Sequence, residues 1–205
     1  MAEKTKIAVF VSGGGPNLQA LIDAQKSGIL TSGEIVLVVS SSPDAYALTR
    51  AADNGIKGVV VSRKAAASQE AFEQGILNAI EEAGAEMIVL AGFMSILSEN
   101  FTARFPRRIL NVHPALIPSF CGKGFYGLRV HEAALAYGVK VTGATVHFVN
   151  EIPDGGEIIL QKAVDIPDGI TPEALQKRVM EEAEWKILPL AAEKVAKELS
   201  EAKRS

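Results

Sequence analysis

Short apolar runs alternate along the chain with stretches of helical spacing, and this alternation is the strongest pattern in the sequence. Residues 7–11 are apolar and largely β-branched, as in a strand buried on both faces. Leu18, Leu21 and Ile22 then recur at helical spacing. Residues 34–40 predict a second strand, 45–54 a helix stopped by Gly55, and 58–62 a third strand. A long helix over roughly 69–83 ends at Gly84, and residues 87–90 predict a fourth strand. A short helix at 98–104 leads into a fifth strand at 109–112, which Pro114 and Pro118 close because proline cannot donate to a ladder. Strands alternating with helices argue an α/β fold with a doubly wound, mostly parallel sheet, Rossmann-like in layout. Beyond Pro118 the pattern breaks. Residues 119–127 hold three glycines and no period, which predicts a mobile loop, and 130–137 a short helix. Residues 142–149 and 157–166 read as strands joined by a loop short enough for a hairpin, an antiparallel addition to the sheet. Residues 172–203 form one long C-terminal helical region interrupted at Pro189, with Glu173, Glu181, Glu182 and Glu184 as a solvated acidic face.

Composition narrows the classes. With 205 residues, 48% hydrophobic, the chain supports one domain with a substantial core, or at most two small ones. A net charge of −3 offers no basic face for nucleic acid, and the tail 201–205 reads as a solvated helix end. The first apolar run is too short for a signal-peptide core or a membrane span. A single cysteine, Cys121, excludes an intramolecular disulfide and a thiolate metal cluster, so a reducing, cytoplasmic compartment is expected.

Candidate chemistry gathers at strand ends. Asn111 and His113 stand two apart at the end of the fifth strand, so they share a face at the edge where open parallel sheets bind ligands. A hydrogen-bonded strand end is the alternative reading. The stretch Ser12-Gly-Gly-Gly-Pro-Asn-Leu18 follows a strand and opens a helix, the layout that holds a phosphate on backbone N–H groups. It is neither a Walker loop nor GxGxxG, and a tight βα turn would look the same. Pro16 suits a first helical turn but removes one N–H donor, which the side-chain amide of Asn17 can replace. Residues 91–97, including Met94, Ser95, Ile96 and Leu97, are core or an apolar wall for a flat ligand. Asp154 precedes two glycines at the hairpin tip, where a turn role is the simplest one. His147 reads as a satisfied strand histidine, His131 as a cap or brace, and Cys121 as a bystander. Taken together, Asn111, His113 and Asp154 suit acyl transfer: an amide for an oxyanion, an imidazole to move a proton, a carboxylate to hold the imidazole. Asp154 is expected to reach His113 directly or through one water and to raise its pKa. A metal site would want more ligands.

The motifs Ser12-Gly-Gly-Gly-Pro-Asn-Leu-Gln19, Leu90-Ala-Gly-Phe-Met94, Leu110-Asn-Val-His-Pro-Ala-Leu-Ile-Pro118, Gly143-Ala-Thr-Val-His-Phe-Val149 and Asp154-Gly-Gly-Glu-Ile-Ile-Leu-Gln161 resemble the folate-dependent formyltransferase family, and within it the phosphoribosylglycinamide formyltransferases of purine biosynthesis. The resemblance runs in order from Lys6 to about Pro189. It implies a single domain over 1–205, with a nucleotide-binding half to about 105 and a folate and catalytic half after it. It implies Asn111, His113 and Asp154 as the catalytic trio, and Gly14, Gly15, Pro16 and Asn17 at the ribonucleotide phosphate. Glu184 would hold the glycinamide. Gln69, Met94, Ser95, Ile96, Leu97, Asn111, Asn150, Glu151, Ile152, Pro153 and Asp154 would line the folate pocket. The co-substrate implied is 10-formyltetrahydrofolate, with no metal, and the partners are small molecules, with no nucleic acid and no membrane, for a monomer or homodimer. Three departures stand out: Pro16 where the family usually has Ser or Thr, Gln69 where an arginine is common, and Ser95 where some members have Arg. They bear on one phosphate contact and on the folate tail, not on the reaction. A formyltetrahydrofolate hydrolase would share the trio but carry an extra N-terminal domain, and a tRNA-directed formyltransferase a C-terminal nucleic-acid module; neither is expected here. A non-catalytic nucleotide-sugar binding domain would explain the glycine loop but not the trio.

Overall fold

The computed structural model describes residues 3–204, so Met1, Ala2 and, from the expected solvated tail, Ser205 lie outside the described residues. In chain order the elements are β1 (Thr5–Val11), α1 (Pro16–Ser27), β2 (Gly33–Ser40), α2 (Tyr46–Asp53), β3 (Lys57–Val60), α3 (Gln69–Ala83), β4 (Met87–Leu90), α4 (Glu99–Thr102), β5 (Ile109–His113), α5 (Leu128–Tyr137), β6 (Val141–Phe148), β7 (Ile158–Asp165), α6 (Pro172–Val179) and α7 (Trp185–Ala202). A π-helical segment, Met180–Glu184, joins the last two helices.

The strands form one seven-stranded sheet in the order β3-β2-β1-β4-β5-β6-β7. The five strands from β3 to β5 pair in parallel. β6 and β7 add on antiparallel, as the hairpin pattern predicts. Alternation along β1 sends Ile7, Val9 and Val11 to one face and Ala8 and Phe10 to the other. The first set packs with Leu18 and Leu21 of α1 and Leu188 and Val195 of α7. The second packs with Phe72 and Ile76 of α3 and Phe101 of α4. Each such side chain, when fully buried, contributes roughly 1.5–3 kcal/mol relative to exposure. Both faces of the sheet are therefore covered, which leaves the carboxyl edge of the strands as the open one.

Two expectations are corrected. The third strand lies at 57–60 rather than 58–62; it is the sheet edge, paired only with β2, and its ladder closes at Val60 opposite Ser40. The C-terminal helix is not interrupted at Pro189, which sits inside α7. Its break is the π segment, where the N–H of Trp185 reaches back to the Met180 carbonyl. Pro189 leaves unbonded the carbonyl of Trp185, the residue at which the π segment has already offset the ladder. Among the described residues no helix is long and apolar enough to cross a membrane.

Candidate active site

The order in which strands are added reverses beside β1: β2 lies on one side and β4 on the other. Such a switch point opens a crevice at the carboxyl ends of the strands. The loops after β1, β2 and β4 meet there. Ser12 Oγ accepts from the Met94 N–H at 2.9 Å and shares a hydrogen bond with Ser41 Oγ at 2.6 Å.

The glycine loop occupies one end of this crevice. Gly15 caps α1 in the left-handed region at φ 68°, and a Cβ there would lie 2.6 Å from Ala47 Cβ, so glycine is required twice over. Pro16 takes the first helical position, where its missing N–H costs no helical bond. Asn17 donates from Nδ2 to Glu184 Oε2 at 2.7 Å, while its buried Oδ1 has no partner among the described residues. The Asn17 amide, expected to donate to a phosphate, thus spends one of its two N–H donors on Glu184. The backbone N–H groups of Gly14, Gly15 and Asn17 remain, with no hydrogen bond to any described residue. Glu184 leaves the acidic face to which its spacing assigned it and is 8% exposed. Burial pushes its carboxyl above the ordinary range, only partly countered by the Asn17 hydrogen bond.

A polar cluster closes the other end. Asp154, itself in the left-handed region at φ 55°, comes back from the β6–β7 loop. Its Oδ2 accepts from the Gly122 N–H at 2.8 Å and lies 3.5 Å from His113 Nδ1. Its Oδ1 lies 3.5 Å from His147 Nε2, and Asn111 Nδ2 is 3.3 Å from that same nitrogen. So the structure brings Asn111, His113 and Asp154 into one cluster, with His147 as the link. A carbonyl can only accept, which fixes two ring protons: His113 donates from Nε2 to Phe120 O, and His147 from Nδ1 to Phe148 O, each at 2.8 Å. Burial is the largest influence on His113 and lowers its pKa; Asp154 and the Phe120 carbonyl push it up without overcoming burial. The expectation of a raised pKa is therefore corrected in net direction, because desolvation outweighs the carboxylate. Burial pushes Asp154 upward too, but its contact with His147, the Gly122 N–H and the nearby His113 outweigh it and hold it below the ordinary range.

The remaining predicted residues flank the crevice. Met94, Ile96 and Ile152 expose apolar side chains, while Ser95 and Leu97 are half-buried and Pro153 exposed. Gln69 spends its amide locally: Nε2 donates to Glu73 Oε1 at 2.7 Å and to Ile96 O at 3.0 Å, and Oε1 accepts from Arg63 at 2.9 Å. It braces the 94–97 segment. Asn150 and Glu151 line, with Arg107 and Phe148, a cavity of about 330 Å³ whose walls do not include Asn111, His113 or Asp154. Cys121 donates to Pro118 O at 3.3 Å, and burial and the Asp154 charge push its thiol up, so nothing activates it. His131 caps nothing; it is fully buried on α5, and neither ring nitrogen has a hydrogen-bond partner among the described residues. No group of three or more His, Cys, Asp or Glu is arranged to hold a metal ion among them.

Sequence reasoning missed His147 and Arg50. The signal for His147 was its partner two positions away: Thr145 and His147 share a face as Asn111 and His113 do, and the register sets the pairs opposite. Arg50 carried no signal; it donates from Nε to Gly14 O at 2.9 Å only because α2 packs there.

The chain is similar to known proteins along most of its length. Phosphoribosylglycinamide formyltransferase of Haemophilus influenzae is 40% identical over 185 residues, 90% of this chain and 84% of that one. The trifunctional purine biosynthetic protein adenosine-3 of Gallus gallus is 44% identical over 193 residues, 94% of this chain and 18% of that one. The chain spans 61% or less of the length of its chloroplastic and trifunctional relatives. The crystal structure of phosphoribosylglycinamide formyltransferase from Brucella melitensis superposes with a TM-score of 0.86 at 42% identity, covering 95% of this chain and 96% of that one. With the formyl transferase pattern matched over residues 5–192, from the first strand into α7, the chain belongs to the formyl transferase family.

Proposed function

We propose that this protein transfers the formyl group of 10-formyltetrahydrofolate to the amine of N1-(5-phospho-D-ribosyl)glycinamide, giving formylglycinamide ribonucleotide and tetrahydrofolate in purine biosynthesis. The observation that carries this reading is the Asn17–Glu184 hydrogen bond, which joins an anion-ready glycine loop to a buried carboxylate. A phosphate and an amine on one small molecule would meet these two groups together. The exposed Met94, Ile96 and Ile152 on the rim fit a flat, largely apolar co-substrate. The Haemophilus influenzae and Brucella melitensis relatives, matched over most of their length, are phosphoribosylglycinamide formyltransferases, which supports the reading.

In the reaction the substrate amine adds to the formyl carbon, the carbonyl electrons move to oxygen, and collapse releases the folate nitrogen as its proton arrives. Backbone N–H groups of the loop hold the phosphate. Glu184 accepts from the glycinamide amine. Asn111 donates to the developing oxyanion. His113, held neutral by burial, is able to take a proton, and ionised Asp154 stabilises the imidazolium that results. The test is formyl transfer by the purified protein with glycinamide ribonucleotide, water and aminoacylated tRNA as competing acceptors. Rapid deformylation only with glycinamide ribonucleotide is expected; equal turnover without an amine acceptor would make the protein a hydrolase instead.

A further inference from the structure

We propose that Arg50, outside the site on α2, is the positioning residue that aims the glycine loop at the acceptor's phosphate; the inference rests on the phosphoribosyl reading above. Two loop carbonyls are turned onto α2. Gly13 O accepts from the Ala47 N–H at 3.1 Å, and Gly14 O from Arg50 Nε at 2.9 Å. A trans peptide keeps its C=O and N–H on opposite sides. The first bond therefore turns the Gly14 N–H away from α2, and the second turns the Gly15 N–H the same way. Both N–H groups are left as donors, beside that of Asn17 at a helix start whose dipole favours an anion.

The loop cannot hold this orientation alone. Its three consecutive glycines have wide backbone freedom. A Cβ would touch nothing at Gly13 and only Pro16 Cδ, at 4.0 Å, at Gly14, so packing does not pin those peptides. Orientation comes from the two hydrogen bonds, and the Arg50 bond is the one made by a side chain. That side chain is itself fixed: Nη1 donates to Gln19 Oε1 at 3.0 Å on α1, and the Tyr46 ring centre lies 5.1 Å from the guanidinium carbon. The planar fork thus ties the loop to the helix that follows it, which a lysine ammonium cannot do with the same geometry. Pro16 raises the stakes, since it brings neither an N–H nor a hydroxyl to the phosphate.

The experiment compares Arg50→Met, Arg50→Gln and Arg50→Lys with the wild type in the full chain. It measures KM for glycinamide ribonucleotide, KM for the dephosphorylated glycinamide riboside, KM for the folate, and kcat. Arg50→Met is expected to raise KM for the phosphorylated acceptor about tenfold, the scale of one hydrogen bond to a charged group. KM for the riboside, KM for the folate and kcat stay unchanged, and Arg50→Lys falls between. If both acceptors lose affinity equally, or neither does, Arg50 only supports the fold and the proposal is overturned. If the wild type itself does not distinguish the two acceptors, the phosphoribosyl reading fails, and the proposal with it. Should Arg50→Met not fold, Arg50→Gln and Arg50→Lys carry the same comparison.

Discussion

Replacing His131 by leucine should flatten the acid limb of the protein's stability curve. His131 is fully buried on α5, and burial first, then the nearby His113 charge, lowers its pKa from 6.5 to about 4. Between those two values the unfolded chain binds a proton that the folded protein refuses. Stability therefore rises with pH across that window and is lost as pH falls from 6.5 toward 4, with no further loss below. A shift of that size is worth on the order of 3 kcal/mol in all, most of it lost between pH 7 and pH 4.5. Other groups titrate in the same range. Glu184, raised by burial, works in the opposite direction, because the unfolded chain sheds its proton first as pH rises. His113, lowered, works in the same direction as His131. Comparing wild type with His131→Leu at each pH cancels Glu184, and cancels His113 apart from its coupling to His131. Urea unfolding at pH 7, 5.5 and 4.5 gives the quantity directly, and the wild type should lose roughly 2 kcal/mol more than the variant over that span. Parallel curves for the two proteins would refute the reasoning and show that the imidazolium is accommodated inside the fold.

Asp154→Asn should lower kcat by on the order of a hundredfold while changing KM little, because the carboxylate's service to His113 is needed mainly when charge develops. Near-full kcat with an unchanged pH–rate profile would leave Asp154 as a turn residue. His113→Asn should be similarly damaging in steady-state kinetics, and the double variant far less than multiplicatively worse, since the two side chains touch. Gly15→Val places a Cβ 2.6 Å from Ala47 Cβ and a branched residue at φ 68°, so KM for glycinamide ribonucleotide should rise more than about tenfold. An unchanged KM would put the phosphate elsewhere. Pro16→Ser should shift that KM by no more than a few-fold, because position 16 supplies no N–H in the native loop.

Where local chemistry and topology coincide, the site was readable in advance. Asn111 and His113 could be placed because strand alternation and two prolines put them together at a sheet edge. The glycine loop could be placed because a strand before it and a helix after it leave few conformations. Asp154 was ambiguous alone, since Asp-Gly-Gly is ordinary turn chemistry, and it acquired a partner only by resemblance. In the structure the Gly122 N–H and both imidazoles converge on its oxygens. What stayed hidden depends on burial or on packing between distant segments. The direction of the His113 pKa needed the competition between desolvation and charge, and only coordinates settle which is larger. Gln69 looked like a lost folate contact; its amide donates to Glu73 and the Ile96 carbonyl, a bracing of the wall that only the packing of two distant segments reveals.

Glu184 shows how a regular pattern can mislead about a single residue. Leu175 and Val179 set the buried face of α6. Five residues on from Val179, at about 100° each, an unbroken α-helix would hold Glu184 about 140° from that face, among the solvated glutamates. The π segment absorbs one residue into a wider turn. That brings position 184 back to about 40° from the buried face by the same arithmetic. Ala183, Glu184, Ile187 and Leu188 all come to lie inside. Apolar neighbours gain from that rotation, but a carboxylate does not: it loses hydration, and Asn17 is the hydrogen-bond partner that meets it. Stability alone would favour an unbroken helix with Glu184 in water. A backbone irregularity that carries one acidic group to the start of a phosphate-type loop is thus better explained by what the group binds than by what it holds up.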